Sequence, residues 1–343
     1  MPEVVNMTGY TPVEYLKKNL DLILPQNSKI ENINFPGYVK KAFHSNDRPS
    51  GLVIVDYINH KQAKKKFYVY VKHHRNAWGI FTNMSQIYLK LEEMGQAGHM
   101  PRPYLCDQDH EAIFMEYTGG TDLKYTTFLY LALNRRIKLR KIFYEIGKWL
   151  KSFHQAVPTG NVVESSVIKN NINKALDGTA YFSQIEKQQI RFNLEKKMIS
   201  IPSAFSLIRP HNDFALRNII HMKPDDFVVI DWDAMYHSKF PSEAPIWNDI
   251  TTLVLSLLSF GRFSPVIGRM EVQNLADSFI KGYFDEESDL IGSKSLNDQL
   301  YIFTLCYYLG IIGDRPLPVI YKEKFGFIYL NRMKNNLLNG KVY

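Results

Sequence analysis

The chain has 343 residues, of which 45% are apolar and 22% charged, with 21 Tyr and 21 Phe and a formal net charge of +8. That composition belongs to a globular protein with a sizeable core, and the length suits one large two-part unit or two domains; no repeat or low-complexity segment interrupts it. The charge favours anionic partners such as nucleotides, phosphosugars, nucleic acid or a membrane face. Two distant cysteines, Cys106 and Cys306, exclude a disulfide framework and a Cys-x-x-Cys zinc site. No run of about 18 uncharged apolar residues and no basic-then-apolar leader occurs, so the expectation is no membrane span and a cytoplasmic location.

In chain order, "TPVEYLKKNLDLIL" predicts a first helix with Thr11 as N-cap, Pro12 at the first helical position and Glu14 closing a capping box. Three strand-like runs follow, "GYVKKAFH" (37–44), "GLVIVDYI" (51–58) and "KFYVYVK" (66–72), separated by the turn signals "SNDRPSG" and "NHKQAKK". A helix is predicted over 83–96, with Asn83 as cap and Gln86 three residues on. Two short strands, "PYLCD" and "AIFMEY", precede a break at "TGG". Beyond Gly120 the pattern turns helical, over 135–156, 181–198, 247–260, 269–284, 295–311 and 321–338, with a loop and short hairpin at 208–233. The basic runs "KQAKKK" (61–66) and "RRIKLRK" (135–141) read as solvated faces. Strands first and helices afterwards indicate an α+β fold. The expected division is residues 1–117, holding a five-stranded antiparallel sheet, and a larger helical part, 118–343.

The chemistry concentrates in "RPHNDFALRNII" (209–220) and "VVIDWD" (228–233). Asp213 and Asn218 share a loop, and Asp231 ends an apolar, β-branched run that reads as a buried strand. Two carboxylates and an amide oxygen brought together are hard ligands suited to Mg²⁺. A further carboxylate can orient a hydroxyl and accept its proton. Those are the parts that phosphoryl transfer requires.

"HNDFALRN" resembles the H-x-D-x-x-x-x-N catalytic loop of the aminoglycoside phosphotransferase and choline kinase superfamily, and "VVIDWD" resembles its second motif. "YVYVK", "IFMEYTGG", "YEIGKWLKSFH" and "WNDITTLV" are similar to further family segments in the family's order, and together the match covers roughly residues 37–255. The resemblance implies a two-lobed protein-kinase-like fold and an ATP-dependent enzyme that moves the γ-phosphate to a hydroxyl of a small molecule, of the sugar, aminoglycoside or amino-alcohol class. It implies Asp213 as catalytic base, Asn218 and Asp231 as Mg²⁺ ligands, and Lys72 on the nucleotide phosphates. Glu116 and Thr118 would hold the adenine edge through their backbone, with Met115 beside it, and Ser45 would help to cover the phosphates. His211 would hold the loop.

The chain departs from the pattern at Asn212, where the family often has Gly, in the absence of a Gly-rich phosphate loop, and in having no evident acidic partner for Lys72; Gln86, Glu92 and Glu93 are the candidates. Asp249 reads as an acid in the first turn of a helix, favourable to its dipole. Asp233, Tyr236, Glu243 and Trp247 offer a wall for a cationic acceptor, whereas the net charge leans toward a sugar or phosphorylated compound; a neutral hydroxyl compound needs no special charge. No nucleic-acid motif occurs and no such partner is expected. The alternative reading is a catalytically silent kinase-like protein that binds nucleotide or acts as a scaffold.

Overall fold

The computed structural model describes residues 11–34, 51–222, 226–236, 241–260, 269–285, 293–313 and 324–342. The strand expected at 37–44 and the phosphate-covering Ser45 lie outside these residues. The chain divides into two compact units, residues 1–120 with 228–236, and residues 121–227 with 237–343. No helix among the described residues is long and apolar enough to cross a membrane.

The first unit is built on a five-stranded antiparallel sheet. Its strands are β1 (Lys29–Asn34), β2 (Gly51–Ile58), β3 (Lys64–His73), β4 (Pro103–Asp107) and β5 (Ala112–Glu116), in the spatial order β1-β2-β3-β5-β4. Alternation sorts the side chains of β2 and β3. Val53, Val55, Val69 and Val71 are buried in one cluster with Phe114 and with Leu16, Leu20 and Leu24 from α1 (Thr11–Lys18) and the turn after it. Tyr68, Tyr70 and Lys72 therefore project from the other face of the sheet.

The strand β1 carries no sequence signal. Its residues, "KIENIN", are mostly exposed, and it pairs with β2 through an irregularity at Ile30/Asn32, as an edge strand can. The next helix, α2 (Ala77–Glu93), begins six residues before the expected cap. Asn83 is not a cap but a buried mid-helix residue, whose Nδ2 lies 3.6 Å from Met235 Sδ.

The second unit is mainly helical: α3 (Leu123–Ala132), α4 (Arg136–Ala156), α5 (Ser165–Gly178), α6 (Gln184–Met198), α7 (Trp247–Phe260), α8 (Arg269–Phe284), α9 (Lys294–Gly313) and α10 (Lys324–Leu338). In α4 the residues Leu139, Ile142, Phe143, Ile146, Trp149, Leu150 and Phe153 repeat at helical spacing and are buried. The helices α4 and α8 approach backbone to backbone, since a Cβ on Gly147 would overlap the carbonyl oxygen of Phe279 and one on Gly282 that of Tyr144. The helix α6 opens with a capping box between Ser183 and Glu186. Unanticipated elements are α5, the short strand β6 (Thr121–Asp122) and the strands β7 (Pro158–Glu164) and β8 (Ala204–Ile208), the last two of which pair with each other. In β7 the Pro-Thr-Gly start reads as loop, and only pairing with β8 makes it a strand. The α+β expectation is met: a small antiparallel sheet in one unit, helices in the other.

Candidate functional site

In the second unit, the segment 209–218 is pinned from below by α7. Asp249 is fully buried and accepts the N–H of His211 on Oδ2 (2.8 Å) and of Asn212 on Oδ1 (3.0 Å). His154, near the end of α4, reaches the same carboxylate through Nε2 (3.1 Å), while its Nδ1 lies 2.8 Å from the Tyr283 hydroxyl. In the neutral ring, Nε2–H donating to Asp249 leaves Nδ1 to accept from Tyr283. Burial, and then the Asp249 charge, push the Tyr283 hydroxyl to a raised pKa, so it remains a neutral donor. Phe214 is fully buried and stacks on Trp149 at 6.1 Å between centroids, which fixes the residue next to Asp213.

Asn212 has φ of +67°, in the left-handed region. Asn enters that region more readily than most residues, which gives a physical reason for Gly at this place in the family pattern. Its side chain is used as well, with Nδ2 donating to Pro241 O (3.1 Å) and Oδ1 accepting from Asn248 Nδ2 (3.2 Å).

The loop brings Asp213 and Asn218 together. Asn218 is buried and its Nδ2 donates to Asp213 Oδ2 (2.8 Å) and to the Asp213 carbonyl (2.9 Å). That orientation leaves the Asn218 amide oxygen as a hard-ligand atom. Arg217, itself mostly exposed, donates through Nη2 to both Asp213 oxygens, at 2.9 and 2.6 Å. The base candidate thus has a permanent cation in contact.

In the first unit, Lys72 near the end of β3 meets Asp231. Its Nζ lies 2.6 Å from Asp231 Oδ1 and 2.8 Å from Asp233 Oδ1, although Lys72 and Asp231 are 159 residues apart in sequence. Burial pulls the Lys72 ammonium down, but the charges and hydrogen bonds of Asp233 and Asp231 outweigh it, and its pKa is raised. The trio keeps a net single negative charge. Asp231 has φ of +71°, a sparsely populated conformation for a residue other than Gly, held just after the buried Val228 and Val229. Trp232, buried, donates its indole N–H to Val229 O (2.9 Å) and locks the turn.

The partners of Lys72 are therefore carboxylates of its own unit's returning segment, not residues of α2. Gln86, Glu92 and Glu93 are exposed on that helix. Met115 is buried in β5, paired with Tyr70, while Glu116 closes the strand, exposed, with its N–H on Arg102 O (2.8 Å). Thr118 follows, half-buried, where the sheet has ended. Trp247 does not line an acceptor wall: it is buried, stacked on Phe303 and bonded through Nε1 to Gln299 (2.9 Å).

Among the described residues no group of three or more His, Cys, Asp or Glu side chains is placed to hold a metal ion. The amide oxygen of Asn218 and the carboxylate of Asp231 are each hard donors of the kind that Mg²⁺ takes from protein, its shell being completed by water and phosphate oxygens. The sequence reading missed His154 and undervalued Asp249 and Arg217. An acid in the first turn of a helix and a His at a helix end are visible in sequence, but their meeting is not.

No protein-family model matches the chain, and no curated protein matches it. The solved structures to which it is similar include kinases of the superfamily that the motifs resemble. Choline kinase LicA from Streptococcus pneumoniae is 14% identical, covering 96% of this chain and 99% of that one, with a TM-score of 0.45. An ethanolamine kinase from Plasmodium vivax is 15% identical, covering 94% and 86%, with a TM-score of 0.45. The aminoglycoside phosphotransferase APH(2'')-IIa, in a complex with streptomycin and ATP, is 13% identical, covering 96% and 98%, with a TM-score of 0.49. At these values the likenesses carry no argument about chemistry, and the fold rests on the elements described above.

Proposed function

We propose that this protein is an ATP-dependent phosphotransferase acting on a hydroxyl of a small molecule. The observation that carries the reading is the ion pair of Lys72 with Asp231: a phosphate-binding lysine and a metal-binding carboxylate, named from motifs far apart in sequence, meet at 2.6 Å. Within the second unit, a loop whose carboxylate and amide are in contact has its backbone clamped by a buried acid, which supports the same reading.

Asp213 orients the acceptor hydroxyl and takes its proton as the oxygen attacks. Asn218 holds Asp213 by its amide nitrogen; its oxygen and the Asp231 carboxylate would hold Mg²⁺, which would supply neutralisation of charge on the phosphate oxygens. Lys72, permanently charged, binds the nucleotide phosphates as a point charge. The backbone of Glu116 and Thr118, with Met115 beside them, holds the base of the nucleotide. The acceptor is a sugar or comparable hydroxyl compound; Arg217 in contact with the base disfavours a cationic one.

The test is ADP release from Mg-ATP across a panel of hydroxyl compounds, with two variants. Asp213→Asn keeps nucleotide binding and lowers turnover by about 10²–10⁴-fold. Asp231→Asn weakens Mg-dependent nucleotide binding itself, because a neutral amide is a poorer ligand for a hard dication. Wild-type protein that binds Mg-ATP but transfers phosphate to no acceptor overturns the enzyme reading in favour of a silent binding protein.

A further inference from the structure

The helix α3 is apolar on both faces. It buries Leu123 and Leu131 together with Thr126 and Thr127, yet turns three further large side chains outward. Tyr125, Phe128 and Leu129 are exposed at helical spacing; Leu133 just after the helix is 53% exposed and Ile137, in the first turn of α4, 84%. Exposed apolar side chains gathered on one short helix and its connection mark an interaction surface rather than the scattered exposure of ordinary surfaces.

The charge around them names the partner. Residues 123–144 include six basic residues and no acidic one. Lys124, Arg135, Arg136, Lys138 and Lys141 are all exposed. Glu271 of α8 bonds Arg136 and Arg140, which fixes two of the cations in place and leaves the segment strongly positive. Met270, next to Glu271, adds a further exposed apolar side chain. Aromatic and aliphatic side chains ringed by Lys and Arg are what an interfacial helix presents to a bilayer: apolar groups enter the acyl boundary while cations meet anionic headgroups.

We propose that α3 and the first turn of α4 dock this protein on the surface of an anionic lipid bilayer. Phe128, Leu129, Leu133 and Ile137 insert, and Lys124, Arg135, Lys138 and Lys141 pair with headgroup phosphates. The docking is peripheral, and it is independent of the catalytic reading, since it uses none of that site's residues.

The experiment is co-sedimentation of the full chain with phosphatidylcholine vesicles, with and without about 30% phosphatidylglycerol, at about 0.1 M salt. The wild type should bind the anionic vesicles and bind neutral ones at least tenfold more weakly. Phe128→Ser/Leu133→Ser and Lys138→Glu/Lys141→Glu should each lower the partition coefficient by roughly tenfold or more. All four positions are exposed, and circular dichroism melts matching the wild type establish that the variants are folded. Failure of the wild type to bind anionic vesicles overturns the proposal. So does binding that the apolar double variant leaves unchanged, which would be a charge effect only. A single-stranded oligonucleotide that binds where vesicles do not, with loss in both variants, overturns it too and assigns the face to nucleic acid.

Discussion

Asp249→Asn changes one atom in a buried carboxylate that three donors share. Oδ2 accepts from the His211 N–H and from His154 Nε2, and Oδ1 from the Asn212 N–H. If the amide oxygen takes the place of Oδ2, the new NH₂ faces the Asn212 N–H, and one buried donor is left opposed. The two remaining bonds change from charge-assisted to neutral. Hydrogen bonds to charged groups are worth about 1.5–3 kcal/mol, and an unsatisfied buried donor costs about 1–3 kcal/mol. Because the three share one acceptor, the losses do not add in full, and the expected destabilisation is about 2–4 kcal/mol. The measurement is the urea midpoint at unchanged slope, repeated with His154→Gln and with the double variant. A coupling of about 0.5–3 kcal/mol between the two positions is expected of residues in one network. An acid that serves only the dipole of α7 is worth about 0.3–1 kcal/mol. A loss in that lower range, with no coupling to His154, refutes the view that Asp249 clamps the loop.

Gly147→Ala and Gly282→Ala should each destabilise by at least about 2 kcal/mol, because the added Cβ meets backbone of the facing helix, which cannot rotate away; thermal melts check it, and an unchanged melting temperature for both would mean that α4 and α8 are not in backbone contact. Ser183→Ala, which removes the cap of α6, should cost about 1 kcal/mol in urea unfolding. Burial raises Glu186, but the Lys334 hydrogen bond and the Ser183 bonds outweigh it and hold its carboxyl below the ordinary range. Its stabilisation is therefore present above the unfolded value of about 4.3 and is lost as pH falls through the folded one, so the stability advantage of wild type over Glu186→Gln should shrink on acidification; an advantage constant from about pH 6 to 3 contradicts this. Arg217→Gln removes a cation bonded to Asp213, and relative kcat/KM should move toward cationic acceptors by about fivefold, from about 1 kcal/mol of screened repulsion, read by ADP release with an aminoglycoside against a neutral sugar.

The sequence by itself determined what rests on spacing within a short stretch. The strand-like runs 51–58 and 66–72 between turn signals were enough to name β2 and β3, and the helical pattern over 135–156 was enough to name α4. The close approach of Asp213 and Asn218 also follows from five residues of loop. Tertiary structure alone decided what depends on distant partners. The polar edge strand β1 and the Gly-containing β7 exist because β2 and β8 supply their hydrogen bonds, which no local pattern records. Asn83 looked like a cap, yet α2 begins earlier and buries it, since the helix extends as far as packing supports it. Which apolar side chains of α3 are buried, Leu123 and Leu131, and which exposed, Phe128 and Leu129, cannot be read from composition, because it depends on the neighbouring surface. Most consequential are the pairing of Lys72 with Asp231 and Asp233 and the clamping of His211 and Asn212 by Asp249. Charge–charge and buried hydrogen-bond energies fall steeply with separation in space and are indifferent to separation along the chain, so only the folded chain sets which groups feel one another.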